Sequence, residues 1–172
     1  TSGLIRAGQP FVGARGRGCA PGHLCVDPAG PPCPCGARGC LVAFTDLPAL
    51  ALAGQERGLG GTHPPRLGQD VGVLRDLVAR TTSGCPAARQ VLDRAAAALG
   101  VAVGGLLNAL DLTDVVVHTP VPEAWPLIRP AVERSLAQHS FAAIRADLNW
   151  RISTLGDEAP VIGAATLPQT AG

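Results

Sequence analysis

The sequence predicts an α/β fold, on three observations. Strand-like and helix-like segments alternate along the chain. Val115-Val116-Val117 is a continuous apolar run that suits a strand buried on both faces of a largely parallel sheet. Apolar residues also recur at helical spacing before and after it. With 172 residues, 47% of them hydrophobic, the chain can bury a core as one domain or one large lobe of a bigger protein, which excludes a disordered chain.

The elements follow in order. Gly3-Leu4-Ile5, a turn at Ala7-Gly8-Gln9-Pro10 and Phe11-Val12-Gly13 read as two short strands joined by a tight connection. Residues 19–39 are dominated by glycine, proline and cysteine, so regular structure is not expected there and something other than a core must hold the segment. Asp46 is a capping residue ahead of Leu47, Leu50, Ala51 and Leu52, a helix that ends at the glycines around Gly58 to Gly61. A loop through Thr62-His63-Pro64-Pro65 leads to a helix over about 69–80, with Val71, Leu74, Leu77 and Val78 inward and Arg75, Asp76 and Arg80 outward.

Pro86 suits the first turn of a longer helix with Val91, Leu92, Ala95, Ala98 and Leu99 on its apolar face. Its continuation to Leu107 has to tolerate Gly100, Gly104 and Gly105, each costing roughly 1 kcal/mol relative to alanine unless close helix contact needs the missing side chains. After the valine strand, a helix is expected over 123–138. A half-buried strand follows, in which Leu148, Trp150 and Ile152 alternate with polar residues, and then a helical segment over 156–167 despite Pro160.

Charge excludes some classes of partner. All fourteen basic residues are arginine and thirteen acidic residues nearly cancel them, so no strong field points to nucleic acid or membrane. No charge-free apolar run of about 20 residues and no signal-peptide pattern appears, so the expectation is a soluble cytoplasmic protein without a membrane partner. The chain lacks methionine and opens on Thr1-Ser2-Gly3, which reads as the middle of a turn; it is expected to be a fragment or a processed product.

The cysteines carry the sharpest chemistry. Three of the six crowd into 33–40, and His23 lies ten residues before them: His23, Cys33, Cys35 and Cys40 make one imidazole and three thiols, enough for a closed tetrahedral zinc site. Pro34 stiffens the Cys33/Cys35 pair, while Gly36 and Gly39 permit the positive-φ turn that brings Cys40 back. A closed four-ligand site is structural rather than catalytic. The competing reading is free thiols or a disulfide, which an odd trio beside a histidine disfavours. Cys19 and Cys25 read as small packed thiols, with a swap for Cys33 left open.

Gly22-His23 followed by Cys33-Pro34-Cys35-Gly36-Ala37-Arg38-Gly39-Cys40-Leu41 resembles the zinc signature of the ROK family of sugar-responsive repressors and sugar kinases. Gly105-Leu106-Leu107-Asn108 leading into the valine strand, and residues 155–165, are similar to that family's C-terminal segments, so the resemblance covers essentially the whole chain, 1–172. It implies an actin-like, ribonuclease H-like C-terminal lobe with a zinc loop at about 19–42, and a homodimer. The N-terminal lobe and any DNA-binding domain would lie outside this chain, so alone it would neither phosphorylate a sugar nor bind an operator.

The departures from the family pattern matter as much. The family places a sugar-binding glutamate three residues before the zinc histidine and another after the Cys-Leu pair; here those positions are Ala20 and Val42. The glycine pair that follows the buried strand and admits nucleotide is replaced by His118-Thr119-Pro120. The resemblance therefore implies the effector-binding and dimerisation lobe of a regulator with a degenerate sugar site, where His23 still offers a ring nitrogen to a sugar or sugar-phosphate effector. The alternatives are a fragment of a sugar kinase and a ligand-free, zinc-stabilised scaffold.

The remaining candidates read as ordinary structure. His63 and His118 are polar loop residues, His139 satisfies helix C-terminal carbonyls, Asp157-Glu158 favour a helix N-terminus, and Arg15 and Arg17 are solvated surface.

Overall fold

The computed structural model describes residues 3–16, 20–60, 71–159 and 161–162. The first element is a small antiparallel hairpin, β1 (Ile5–Arg6) with β2 (Gln9–Pro10), paired Ile5 to Pro10 and Arg6 to Gln9. Ala7 and Gly8 both take positive φ, 50° and 76°, as a two-residue hairpin loop matched to strand twist requires. The turn is thus tighter than the four residues expected, and pairing starts at Gln9 rather than Phe11. The Phe11 N–H still donates to the Leu4 carbonyl at 2.8 Å.

The body is helical. It comprises α1 (Val42–Thr45), α2 (Leu47–Gln55), α3 (Gly72–Thr82), α4 (Pro86–Leu110), α5 (Ala124–His139) and α6 (Ala142–Ala146). Asp46 caps α2 by accepting the Ala49 N–H at 2.8 Å. Asp46→Ala is expected to lower stability by about 1 kcal/mol in urea unfolding, with Asp46→Asn recovering most of it. Leu50, Leu77, Val78, Val91, Leu92 and Val121 form the main core between α2, α3 and α4. On α3, Val73, Leu77 and Val78 face inward, and Arg80 turns outward to pair with Asp76 at 2.7 Å.

The central helix, α4, is roughly 37 Å long. By length and composition it could cross a membrane, but half of its most apolar window is buried inside the chain, as suits a core helix. Gly100 and Gly104 lie where α4 meets α5. A Cβ on Gly100 would sit 2.6 Å from the Val132 carbonyl oxygen, and one on Gly104 would sit 2.9 Å from that of His139. Close contact between the helices therefore accounts for two of the three glycines; Gly105 faces open space. Where the helices approach, the buried Ser135 hydroxyl donates to the Ala97 carbonyl across the interface at 2.8 Å. The His139 ring donates to the Ser135 carbonyl at 2.7 Å, the role expected of it.

Two four-residue strands, β3 (Asp114–Val117) and β4 (Asn149–Ile152), pair in parallel with Val115 opposite Trp150. Trp150 stacks at a tilt on Trp125 of α5, ring centroids 5.2 Å apart, and Val115 joins Leu107 and Leu136 beneath the sheet. The expectation that Val115 to Val117 are buried on both faces is corrected. Val115 and Val117 are half-buried against the helices, whereas Val116 is 63% exposed. The described helices pack on one face of this sheet, so burial alternates along the strand. Its outer face carries the Asp114–Arg151 ion pair at 3.1 Å.

Of the predicted terminal helix, a 3-10 turn at Gly156–Glu158 and helical backbone at 159, 161 and 162 are described. Positions 163–167, the Asp157 side chain, and the expectations for Arg17, Cys19, the loop around His63 and the first residues of the 69–80 helix lie outside the described residues.

Candidate metal centre

The candidate site is built by a loop that folds on its own backbone. A 3-10 turn at Pro21–His23 places His23, its N–H bonded to the Ala20 carbonyl at 2.8 Å. The chain then pairs with itself. Val26 N–H donates to the Gly39 carbonyl at 2.8 Å, and Leu41 N–H to the Leu24 carbonyl at 2.9 Å, setting Cys25 opposite Cys40. Inside that ladder, Pro32 bridges Arg38, and Cys33 N–H donates to the Ala37 carbonyl at 2.8 Å, closing a tight turn over Pro34 to Gly36.

Gly36 and Gly39 adopt φ of 93° and 66°, as the return of Cys40 requires. Gly39 is further constrained, since a Cβ there would overlap the Asp27 carbonyl. The loop is anchored to the body through Leu41 and Phe44, which pack on Ala98 and Ala102 of α4, with Arg94 over the Phe44 ring at 5.0 Å.

These contacts bring His23, Cys33, Cys35 and Cys40 together, with one ligand atom of each within 4.8 Å of all the others. Cys33 Sγ lies 3.5 Å from His23 Nδ1, and Cys35 Sγ lies 3.7 Å from Cys40 Sγ. A tetrahedral zinc with ordinary bond lengths sets its donors about 3.5 Å apart for nitrogen and sulfur and about 3.8 Å for two sulfurs. Donor types, number and spacing therefore fit a four-coordinate zinc, and Nδ1 is the histidine nitrogen turned toward the Cys33 sulfur.

The thiols are electrostatically uneven. The Ala37 N–H and then the Cys33 thiol hold the Cys35 thiol down to about 7, while burial and then hydrogen bonding with Cys33 and Cys35 push Cys40 up to about 12. Crowded thiols resist becoming thiolates together, and a divalent cation among them removes that penalty.

Cys25 stands outside the cluster and is exposed, which corrects its reading as a packed thiol. Its pairing with Cys40 had no signal in the spacing, because their register depends on the turns between them. His118 and Arg15 are exposed, as expected. Ala20 is exposed and Val42 half-buried at the two positions where the resemblance implies carboxylates.

A family model described as the ROK family matches residues 2–171. The chain belongs to the ROK family. Relatives of this ROK chain include a glucokinase from Halalkalibacterium halodurans, 29% identical over 96% of this chain and 52% of the relative. The N-acetylglucosamine repressor of Escherichia coli is 26% identical over 99% of this chain and 41% of the relative. Among solved structures, a ROK hexokinase from Thermus thermophilus matches with a TM-score of 0.72 and 29% identity, covering 96% of this chain and 52% of that one. A ROK transcriptional regulator, a homologue of the E. coli MLC protein, matches with a TM-score of 0.78 and 23% identity, covering 98% and 42%.

The mixed α/β architecture fits the actin-like fold of these kinases and repressors. This ROK chain spans about half the length, or less, of the curated relatives it matches. Those relatives include both kinases and repressors.

Proposed function

We propose that the chain is the effector-binding and dimerisation lobe of a ROK-type transcriptional regulator, holding a structural zinc on His23, Cys33, Cys35 and Cys40 beside a degenerate sugar site. The observation that carries this reading is the apolar chemistry flanking the metal cluster. Ala20 and Val42 stand where the family pattern has sugar-binding carboxylates, and neither side chain can accept a hydroxyl hydrogen bond. A pocket that loses two charged acceptors loses most of its discrimination among sugars.

His118-Thr119-Pro120 adds bulk where close approach to a nucleotide calls for glycine, and the Thr119 hydroxyl is engaged with the Val121 backbone. The lobe would work as a cytoplasmic homodimer without enzymatic activity, with DNA contacted through a domain outside this chain. His23, ligating through Nδ1, would turn its other ring nitrogen toward a sugar or sugar-phosphate effector.

Calorimetry on the zinc-loaded chain tests this. Glucose, N-acetylglucosamine and a non-hydrolysable ATP analogue are each expected to bind more weakly than about 1 mM. Restoring the acceptors with Ala20→Glu and Val42→Glu should strengthen sugar binding by at least about tenfold. Micromolar nucleotide binding by the unaltered chain would instead favour the second reading, a fragment of a ROK sugar kinase, which the 29% identity to a glucokinase supports. If the restored acceptors bind no sugar, a ligand-free zinc-stabilised scaffold is the reading that remains. Light scattering of the same sample tests the homodimer.

A further inference from the structure

We propose that Cys25 and Cys40 form a redox pair, in which peroxide joins them as a disulfide, withdraws Cys40 from the metal and releases the zinc. The coupling to zinc rests on the metal reading above; the pairing itself does not.

Cys25 faces Cys40 across an antiparallel bridge, flanked by the Leu41-to-Leu24 and Val26-to-Gly39 hydrogen bonds. Because the bonds belong to the neighbours, the two cysteines occupy a pair that exchanges none of its own. Residues so placed sit about 4.5 Å apart at Cα with side chains on one face. That separation falls within the roughly 4.4–6.8 Å spanned by disulfides, so rotation about the side-chain bonds suffices to join the two sulfurs. Gly39, where a Cβ would overlap the Asp27 carbonyl, fixes this register one residue before Cys40.

Exposure sets the order of events. Cys40 is 1% exposed and Cys33 6%; Cys35 is exposed but belongs to the ligand cluster, whereas Cys25 is open to solvent and outside it. A small oxidant therefore meets a free thiol at Cys25 first. The Cys25 thiolate attacks hydrogen peroxide; the O–O bond breaks, a sulfenic acid forms and hydroxide leaves to become water. The Cys40 thiolate, which would leave the metal, then attacks the Cys25 sulfur; the S–S bond forms, the S–O bond breaks, and the departing hydroxide takes a proton from solvent to become a second water. Two electrons pass from two thiols to one peroxide. With Cys40 gone, three ligands remain and the closed site opens. A dithiol reductant reverses the step.

The test uses the full chain, wild type and Cys25→Ser, with zinc content measured before and after hydrogen peroxide and the disulfides mapped by peptide mass. The expected result is about one zinc per chain in both proteins, a Cys25–Cys40 cross-link in oxidised wild type, and zinc release at least about tenfold slower in Cys25→Ser. Equal release rates in the two proteins would overturn the proposal. So would a bridge confined to Cys33, Cys35 and Cys40, a Cys25 bridge to any other cysteine, or over-oxidation of Cys25 without a bridge. If the purified chain holds no metal yet forms the Cys25–Cys40 bridge, the metal reading fails and the pair stands.

Discussion

Cys40→Ser is expected to leave the purified chain without zinc and to raise amide exchange over 21–41 by at least about a hundredfold, while the amides of α4 and α5 stay protected. The asymmetry follows from where each part gets its order. The helical body has its own core of Leu77, Val91, Leu92 and Leu107, all at most 2% exposed. The loop has a few backbone bonds and little buried apolar surface of its own, and Pro34, Cys35 and Gly36 all face solvent. Apparent binding energies of structural zinc, about 10–16 kcal/mol in isolated peptides, far exceed what such a loop gains from its turns. Chelation of the wild-type protein should reproduce the variant. Unchanged exchange after chelation would show that the backbone ladder alone orders the loop.

The same site sets a pH dependence. Cys40 keeps its proton up to about 12 and Cys35 up to about 7 in the metal-free protein. Zinc loading above pH 7 must displace at least the Cys40 proton, and below pH 7 the Cys35 proton too. Affinity therefore falls with acid, by at least about tenfold per pH unit above 7 and about a hundredfold per unit below. Competition with a chromophoric chelator from about pH 8 to 5.5 measures that slope, and a flat profile would remove these thiolates from the ligand set.

The clustering of His23, Cys33, Cys35 and Cys40 was legible in the sequence because its signal is local. Cys33, Cys35 and Cys40 lie within eight residues, and proline and glycine at Pro34, Gly36 and Gly39 dictate the path between them. The long helix was legible through Pro86 and the spacing of Val91, Leu92 and Ala98. What escaped depends on partners distant in sequence. Three successive valines look alike whether one face of a strand is covered or two, and only the placement of α4 and α5 decides that Val116 is open. The short helices α1 and α6, four and five residues long, are set by how Leu41, Phe44 and Ile144 dock rather than by periodicity that could be read in advance. Cys25 looked inert for the same reason, since nothing in its neighbours specifies Cys40 across the ladder.

The glycines of α4 yield the sharpest test of the packing, because two alanine substitutions on one helix should have opposite signs. Gly105→Ala is expected to stabilise the chain by about 0.5–1 kcal/mol, since its Cβ enters open space and the helix gains the ordinary advantage of alanine over glycine. Gly100→Ala gains the same advantage and loses more. Its Cβ would stand 2.6 Å from the Ser135 Cβ and the Val132 carbonyl oxygen and 2.9 Å from the Leu136 nitrogen, and backbone atoms cannot swing aside. Relief requires α5 to retreat, which loosens Val132 and Leu136, both at most 2% exposed, and strains the Ser135 bond to Ala97. Overpacking of this kind costs about 1–3 kcal/mol and a weakened buried hydrogen bond about 1 more, so the net loss should be about 2 kcal/mol in urea unfolding. If both variants shifted stability in the same direction, the close approach of α4 and α5 at Gly100 would be wrong, and with it the support beneath β3 and β4.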